Sequence, residues 1–164
     1  MSLIVFGVGH PDRGDDAAGP LVADLLANDP HVSVRHVTGD PSMMLTDPLW
    51  LPDAEVVLVD AVVTGTEPGA VHAWSMLELL VRAAPSSGGT HDLGITTTLR
   101  LAEALDRLPR SLTVVGIEGA RFTTGSEPSH AVLTAVERVA TTLAMRARSS
   151  TASAGLTRLR VHPQ

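Results

Sequence analysis

Three side chains in this sequence are placed where they could do chemistry together. Asp16, Asp60 and His91 lie in the segments GVGHPDRGDDAAGP, VVLVDAVV and GGTHDLGIT, each where a predicted strand ends or a helix begins. If the strands are parallel neighbours, the three side chains meet at one edge of a sheet, where open α/β proteins bind ligands. Two carboxylates and one imidazole are a usable ligand set for a divalent metal with open coordination positions. The sequence therefore predicts a metal site at this edge.

Asp16 has a second interpretation, because Asp is a favoured residue at the start of a helix. Pro20 lacks a backbone donor and suits the first helical position, which makes Gly19 the predicted cap and leaves Asp16 in the preceding loop. The residues alone leave cap and ligand evenly balanced. The neighbouring Asp15 is the better candidate for a structural role, as a partner of Arg13.

Asp60 interrupts an otherwise apolar strand, EVVLVDAV. Burying a carboxylate without a partner costs several kcal/mol, or raises its pKa until the group is neutral. A bound metal or a position at the strand end would compensate this carboxylate.

The histidines are weighed against the default that a lone histidine has no special role. His91 follows the Gly-rich segment 84–90, and that position favours a ligand that reaches the same pocket. His10 could be an extra ligand or a partner of a ligand, with the structural role slightly favoured. The other histidines show no metal-ligand spacing and are predicted to be surface or packing residues: His31, His36, His72, His130 and His162.

Composition excludes several classes of function. A net charge of -6 and only two Phe, two Trp and no Tyr argue against a nucleic-acid surface. The longest apolar stretches are too short for a membrane helix, and the N-terminal run MSLIVFG does not read as a signal peptide. We therefore expect a cytoplasmic protein. The absence of cysteine removes disulfides, thiolate nucleophiles and Cys-based zinc sites.

Known catalytic and cofactor motifs are also missing from the sequence. It contains no Gly-x-Ser-x-Gly, no His-Glu-x-x-His and no Gly-Lys-Ser/Thr phosphate loop. The pair Gly7-x-Gly9 lacks the third glycine of a dinucleotide fingerprint, because position 12 is Asp. No dinucleotide cofactor is expected.

Strand and helix patterns alternate along the chain, which indicates crossover units and a mostly parallel sheet. Strands are predicted at residues 2–9, 32–37, 55–62, 69–74 and 112–118. Helices are predicted to end near residue 28, to span 42–50 with truncation by Pro48, to span 91–108, and to start at Pro128. The link TGTEPG is too short for a parallel crossover, so strand four should be antiparallel and at an edge. The expected fold is a three-layer α/β/α sandwich with a five-stranded twisted sheet, hydrolase- or phosphorylase-like.

A single domain should span residues 1–148, because a chain of 164 residues fits one domain. Residues 149–164 have little to bury and are predicted to form a mobile tail. Segment 84–90 is rich in Pro, Ser and Gly, and it should form a mobile loop beside the metal pocket.

The opening GVGHPDRGDDAAGPLVADLL resembles the signature of the hydrogenase maturation proteases. The segments VDAVVTGTEPGAV, THDLGITTTLRLAEAL and VVGIE, with GSEPS after it, follow in the order and spacing of that family. The resemblance spans roughly residues 3–145. It implies that the nickel-binding acid of the family falls on Asp16, its second acid on Asp60 and its histidine on His91.

The resemblance implies a cytoplasmic, aspartic-type endopeptidase that trims the C-terminus of a nickel-iron hydrogenase large-subunit precursor. Nickel would arrive with the substrate as a recognition element, and another divalent metal could occupy the site. Hydrolysis would need no protein nucleophile, since the ion can act as Lewis acid and water activator. Two alternatives are a sister peptidase for another nickel hydrogenase and a non-catalytic metal-sensing binding module or chaperone for hydrogenase maturation.

The sequence departs from the family pattern at three places. His10 stands where Asn is common, Thr38-Gly39-Asp40-Pro41 replaces Asp-Gly-Gly-Thr, and Glu118-Gly119 replaces Glu-Pro. We expect these positions to mark a divergent or differently targeted member.

Overall fold

The computed structural model describes residues 2–82 and 92–159. Its strands are β1 (Leu3–Val8), β2 (Val32–Val37), β3 (Glu55–Val62), β4 (Val71–Ser75) and β5 (Ser111–Glu118). Its helices are α1 (Ala18–Leu26), α2 (Met76–Arg82), α3 (Asp92–Ala104) and α4 (His130–Leu159), with 3₁₀ turns at Gly14–Ala17 and Pro41–Thr46.

The five strands form one sheet in the order β2-β1-β3-β5-β4. The pairs β1–β2, β1–β3 and β3–β5 are parallel, whereas β4 is antiparallel to β5 and lies at an edge. The predicted topology is thus confirmed. β4 reverses direction because its link to β3 is too short to carry the chain back across the sheet.

Both faces of the sheet are covered, which accounts for the continuous apolar runs of β1 and β3. Alternate strand residues such as Val5 and Val57 pack with α1 and α4 residues on one face. Their neighbours in sequence, such as Phe6 and Leu58, pack on the other face with Trp50 and with α3 residues. The result is the predicted three-layer arrangement.

Helix α1 packs backbone against backbone on the sheet, through Gly7 of β1 and Gly19 of α1. A Cβ on Gly7 would collide with the Gly19 carbonyl, and a Cβ on Gly19 would collide with the carbonyl oxygens of Val8 and Val59. Glycine at both positions therefore allows the start of α1 to approach the carboxyl ends of β1 and β3. The 3₁₀ turn Gly14–Ala17, which precedes α1 directly, is held at the same edge.

The start of α1 differs from the prediction. The helix begins at Ala18 with Ala17 as the N-cap residue, so Gly19 is not the cap. Pro20 is accepted at the third helical position because the first N–H groups of a helix have no intrahelical partner. Asp16 does precede the helix, as predicted, but in a 3₁₀ turn and not in an irregular loop.

Three other segments differ from the sequence predictions. The predicted helix 42–50 is a short 3₁₀ turn, and α2 was not predicted. Helix α4 continues to Leu159, so the segment after Arg148 begins as helix, while the mobility of 149–164 stays a prediction. Segment 84–90 lies outside the described residues. Over the ranges that the structure covers, no helix has the length and apolar character needed to cross a membrane.

Candidate active site

Asp16 lies at the carboxyl edge of the sheet, in the turn that precedes α1. Its side chain is buried, and its Oδ2 accepts a hydrogen bond of 2.9 Å from the backbone N–H of His10. Gly9 makes this possible, because its φ of 134° is open to glycine and a Cβ there would collide with the Asp16 carbonyl. The loop after β1 therefore folds back and holds the Asp16 carboxylate.

Asp60 lies near the end of β3, one residue beyond Val59, which pairs with Gly7 of β1. Its side chain is largely buried. Burial and the negative charge of Asp16 raise the pKa of Asp60 to about 7, against a smaller lowering by a backbone hydrogen bond with Ala61. The structure thus brings two of the three predicted site residues together. Asp60 therefore keeps its proton over much of the pH range below neutral.

Two carboxylates in each other's field form a suitable environment for a divalent cation, which would relieve their repulsion. Among residues 2–82 and 92–159, no group of three or more His, Cys, Asp or Glu side chains forms a metal cluster. His91 lies outside the described residues. The three-ligand set of Asp16, Asp60 and His91 therefore stays a prediction, and the described part contributes the two acids.

His10 takes part in the site through its backbone. Its ring Nδ1 accepts a hydrogen bond of 3.2 Å from the backbone N–H of Asp12. A neutral imidazole with Nδ1 as acceptor carries its proton on Nε2, so neither ring nitrogen offers a free lone pair to a cation in this conformation. The geometry supports the structural role of His10 over that of an extra ligand.

Asp15 has the structural role that the sequence predicted, but with other partners. The fully buried carboxylate accepts hydrogen bonds from the backbone N–H groups of Ala120 (2.8 Å), Arg121 (2.9 Å) and Ser129 (2.6 Å). Burial alone would raise the pKa of Asp15, yet these donors outweigh it and leave the pKa below its usual value. Arg13 instead donates from Nε to the carbonyl of Phe122 at 3.2 Å.

Glu118 is a further buried acid at this edge, and the sequence analysis does not place it among the site residues. At the end of β5, its Oε1 accepts from the N–H groups of Thr64 (2.8 Å) and Gly65 (2.9 Å), and its Oε2 from the Thr64 hydroxyl (2.8 Å). Burial opposes the charge, but these donors outweigh it and lower the pKa of Glu118. The signal was available, because Glu118 ends an apolar strand much as Asp60 does.

The departure Glu118-Gly119 from the family pattern has a local explanation. The Gly119 N–H donates to the Val62 carbonyl at 3.0 Å, a bond that proline could not form. A Cβ at Gly119 would also lie 2.7 Å from the Phe122 ring and 2.9 Å from Asp15 Cβ. Glycine therefore fits the close packing of this corner in this chain.

The departure Thr38-Gly39-Asp40-Pro41 follows β2 at the same edge. Asp40 caps the second 3₁₀ turn, because its Oδ1 accepts a hydrogen bond of 2.9 Å from the Ser42 N–H. An open cavity of about 400 Å³ lies beside this loop; its lining includes Phe6, Val37, Thr38, Met43 and Met44. One of its lining residues, Val37, accepts a hydrogen bond of 3.0 Å from the Gly9 N–H just after β1.

Solved structures share this fold. The chain superposes on the hydrogenase maturating endopeptidase HybD from E. coli with a TM-score of 0.73 at 19% identity, covering 92% of this chain and 94% of that one. The [NiFe] hydrogenase maturation protease HybD from Thermococcus kodakarensis gives a TM-score of 0.68 at 22% identity, with 90% and 99% covered. A crystal structure of a hydrogenase 3 maturation protease gives 0.70 at 22% identity, with 87% and 89% covered.

Sequence comparison bears on the family of the chain as well as on its fold. A search of curated proteins finds no match to this chain. The HycI family model, described as hydrogenase maturation protease, matches residues 40–145, which is more than half of the 164-residue chain. The match includes Asp60 and the corner formed by Glu118 and Gly119, while Asp16 lies before it and is placed beside Asp60 by the fold. The chain belongs to the hydrogenase maturation protease family.

Proposed function

We propose that this protein is the endopeptidase that removes the C-terminal extension of a nickel-iron hydrogenase large-subunit precursor after nickel insertion. The observation that carries the proposal is the pairing of Asp16 with Asp60 at the carboxyl edge of the sheet, in a chain of this family. The negative charges of these two carboxylates would repel each other there, so the pair is suited to bind a cation that the substrate supplies.

In the proposed reaction the nickel ion arrives as part of the substrate. Asp16 and Asp60 would contact it through carboxylate oxygens, and His91 would add an imidazole nitrogen. An ion held in this way can polarise a scissile carbonyl and lower the pKa of a bound water. The same oxygen-rich set would accept other divalent cations.

The residues of the pair would have distinct roles in this reaction. Asp16 is fixed by the His10 N–H and presents a carboxylate of constant position. Asp60, whose pKa is raised to about 7 by burial and by Asp16, would release its proton when a cation replaces it. The proposal makes cleavage conditional on nickel insertion, because a nickel-free precursor brings no ion to polarise the scissile carbonyl or to lower the pKa of a bound water.

The chain contains no cysteine, so a cysteine nucleophile is excluded. We infer that water attacks the scissile carbonyl directly, with a carboxylate of the pair as the group able to accept its proton. The cavity beside Thr38 and Met43, whose lining residue Val37 is hydrogen-bonded to Gly9, would accommodate a side chain of the precursor peptide.

The test is to incubate the purified protein with nickel-loaded and nickel-free precursor and to weigh the products by mass spectrometry. We expect one cut near the C-terminus of the loaded precursor only. Asp60→Asn should be inactive, while Asp53→Asn, at an exposed position before the amino end of β3, should match the wild type. Binding of the loaded precursor without cleavage would overturn the peptidase proposal and favour a binding module or chaperone.

A further inference from the structure

We propose that Asp15 is a positioning residue, which holds the Gly14–Ala17 turn so that Asp16 stays against Asp60. The effect of this role on precursor cleavage rests on the proposed function, whereas its effect on the position of Asp16 does not. The proposal assigns to Asp15 a role in the reaction without any contact with substrate.

Asp15 is firmly attached to segment 120–129. Its carboxylate accepts from the N–H groups of Ala120, Arg121 and Ser129 at 2.6–2.9 Å, and its own N–H donates to the Arg121 carbonyl at 2.6 Å. The residue is completely buried, so water cannot replace these partners. A buried carboxylate with three donors is one of the strongest anchors that a loop can have.

Two backbone hydrogen bonds just before Asp15 also join the turn to segment 120–129. The Gly14 N–H donates to the Ser126 carbonyl at 3.0 Å, and the Gly125 N–H donates to the Asp12 carbonyl at 2.7 Å. The turn before α1 and segment 120–129 therefore form one unit, with the Asp15 carboxylate at its buried centre.

The side chains of Asp15 and Asp16 point in different directions from the same turn. A 3₁₀ turn has about three residues per turn, so successive side chains point about 120° apart. The Asp15 side chain points to segment 120–129, while that of Asp16 meets the His10 N–H and acts on Asp60. A rotation of the turn that releases Asp15 must therefore displace Asp16.

The first experiment measures geometry without cleavage. The His10 amide donates to Asp16 Oδ2, so its hydrogen exchange reports whether Asp16 is in place. In Asp15→Ala we expect exchange at this amide to be about tenfold faster or more, approaching that of Asp16→Ala, because a bond to a charged acceptor is lost. In Asp15→Asn, which keeps one side-chain oxygen, the exchange rate should lie between those of the wild type and Asp15→Ala, and this variant serves if Asp15→Ala does not fold.

The matched control is Asp29→Asn. Asp29 also accepts a turn N–H, from His31 at 2.9 Å, and a second bond from Arg148 at 2.9 Å. It lies between α1 and β2, at the opposite edge of the sheet from Asp16. Asp29→Asn should lower the free energy of unfolding and leave hydrogen exchange at the His10 amide as in the wild type.

The second experiment measures cleavage of nickel-loaded precursor, at a temperature where every variant is folded. Asp15→Ala should lower kcat about 100-fold with KM little changed, the effect of displacing a reacting group by about 1 Å. If His10 exchange in both Asp15 variants equals that of Asp29→Asn, the positioning role is wrong, whatever the kinetics. If the wild type does not cleave, the proposed function fails, while the exchange result still decides the role of Asp15.

Discussion

Asp60 has a pKa of about 7 because it is buried and because it lies in the electric field of Asp16. The two residues are 44 positions apart in the numbering of the chain and share one edge of the sheet. Their relationship ties the stability of the protein to pH in a direction opposite to that of an ordinary paired acid.

Asp60→Asn should stabilise the protein above neutral pH. Because the folded-state pKa is raised above the ordinary value of 3.8, the contribution of Asp60 to stability is fully present below about pH 4 and is lost as pH rises through about 7. The variant should therefore gain on the order of a few kcal/mol in the free energy of unfolding at pH 8, relative to its difference from wild type at pH 4. Urea unfolding at both pH values measures this. A difference between variant and wild type that does not change with pH would contradict it.

Asp16→Asn should lower the pKa of Asp60. The charge of Asp16 is one of the two causes that raise it, and burial should remain largely unchanged by the isosteric amide. Carboxyl carbon NMR shifts followed against pH would report the pKa of Asp60 directly. The control variant Asp53→Asn, at an exposed position, should leave the pKa of Asp60 unchanged. An unchanged pKa of Asp60 in Asp16→Asn would show that the two acids are not coupled.

Replacement of Asp16, Asp60 or His91 by Ala should each reduce precursor cleavage below detection. Residues at the edge of a sheet contribute little to the core, so circular dichroism should show an intact fold. His130→Ala, at an exposed position, is the control and should retain full activity. Wild-type processing by all three site variants would remove the chemical basis of the proposal.

Glu118→Gln should have the pH dependence opposite to that of Asp60→Asn. The pKa of Glu118 lies below its ordinary value of 4.5, so its contribution to stability is present above that value and is lost as pH falls through the lower folded-state pKa. We expect the variant to lose about 1–3 kcal/mol at pH 7, since an amide cannot accept all the bonds from Thr64 and Gly65. Chemical unfolding at pH 7 and pH 3 should show the loss shrinking at the lower pH; equal losses would refute the assignment.

Gly119→Pro should destabilise the protein, although the family pattern has proline at this position. Gly119→Ala adds a Cβ against Phe122 and Asp15 and should lose about 1–3 kcal/mol by overpacking. Proline adds the same crowding and also removes the N–H that bonds the Val62 carbonyl, so its loss should be larger. Comparing the midpoints of thermal unfolding separates the two contributions, and a proline variant as stable as wild type would show that the corner can rearrange.

The strands could be predicted from sequence because their apolar runs are long and continuous. The predicted spans 32–37 and 55–62 coincide with β2 and β3. Helix α2 was missed although its start carries a capping box: Ser75 Oγ and Glu78 Oε2 are 2.8 Å apart, and the Glu78 N–H donates to Ser75 Oγ at 3.3 Å. The S-x-x-E pattern from Ser75 to Glu78 is therefore a sequence signal for the start of this helix.

The acids of the site were predictable to different degrees. Asp16 follows the apolar strand β1 and Asp60 lies near the end of β3, and parallel strands bring such positions to one edge. The partners of Asp15 could not be predicted, because they are backbone amides more than 100 residues away, as the separation of 105 between Asp15 and Ala120 shows. Backbone donors have no signature in a sequence, so contacts of this kind emerge only from the fold.

The contact between Gly7 and Gly19 limits how this site could change in evolution. Most helices can move on a sheet by exchanging one apolar side chain for a larger or smaller one. Here the main chains already touch, so any substitution of Gly7 or Gly19 adds atoms and can only push α1 away from the sheet. The distance between Asp16 and Asp60 would therefore stay constant as the protein evolves. New substrates would be accommodated by changes in the surrounding loops, such as the one at Thr38–Pro41.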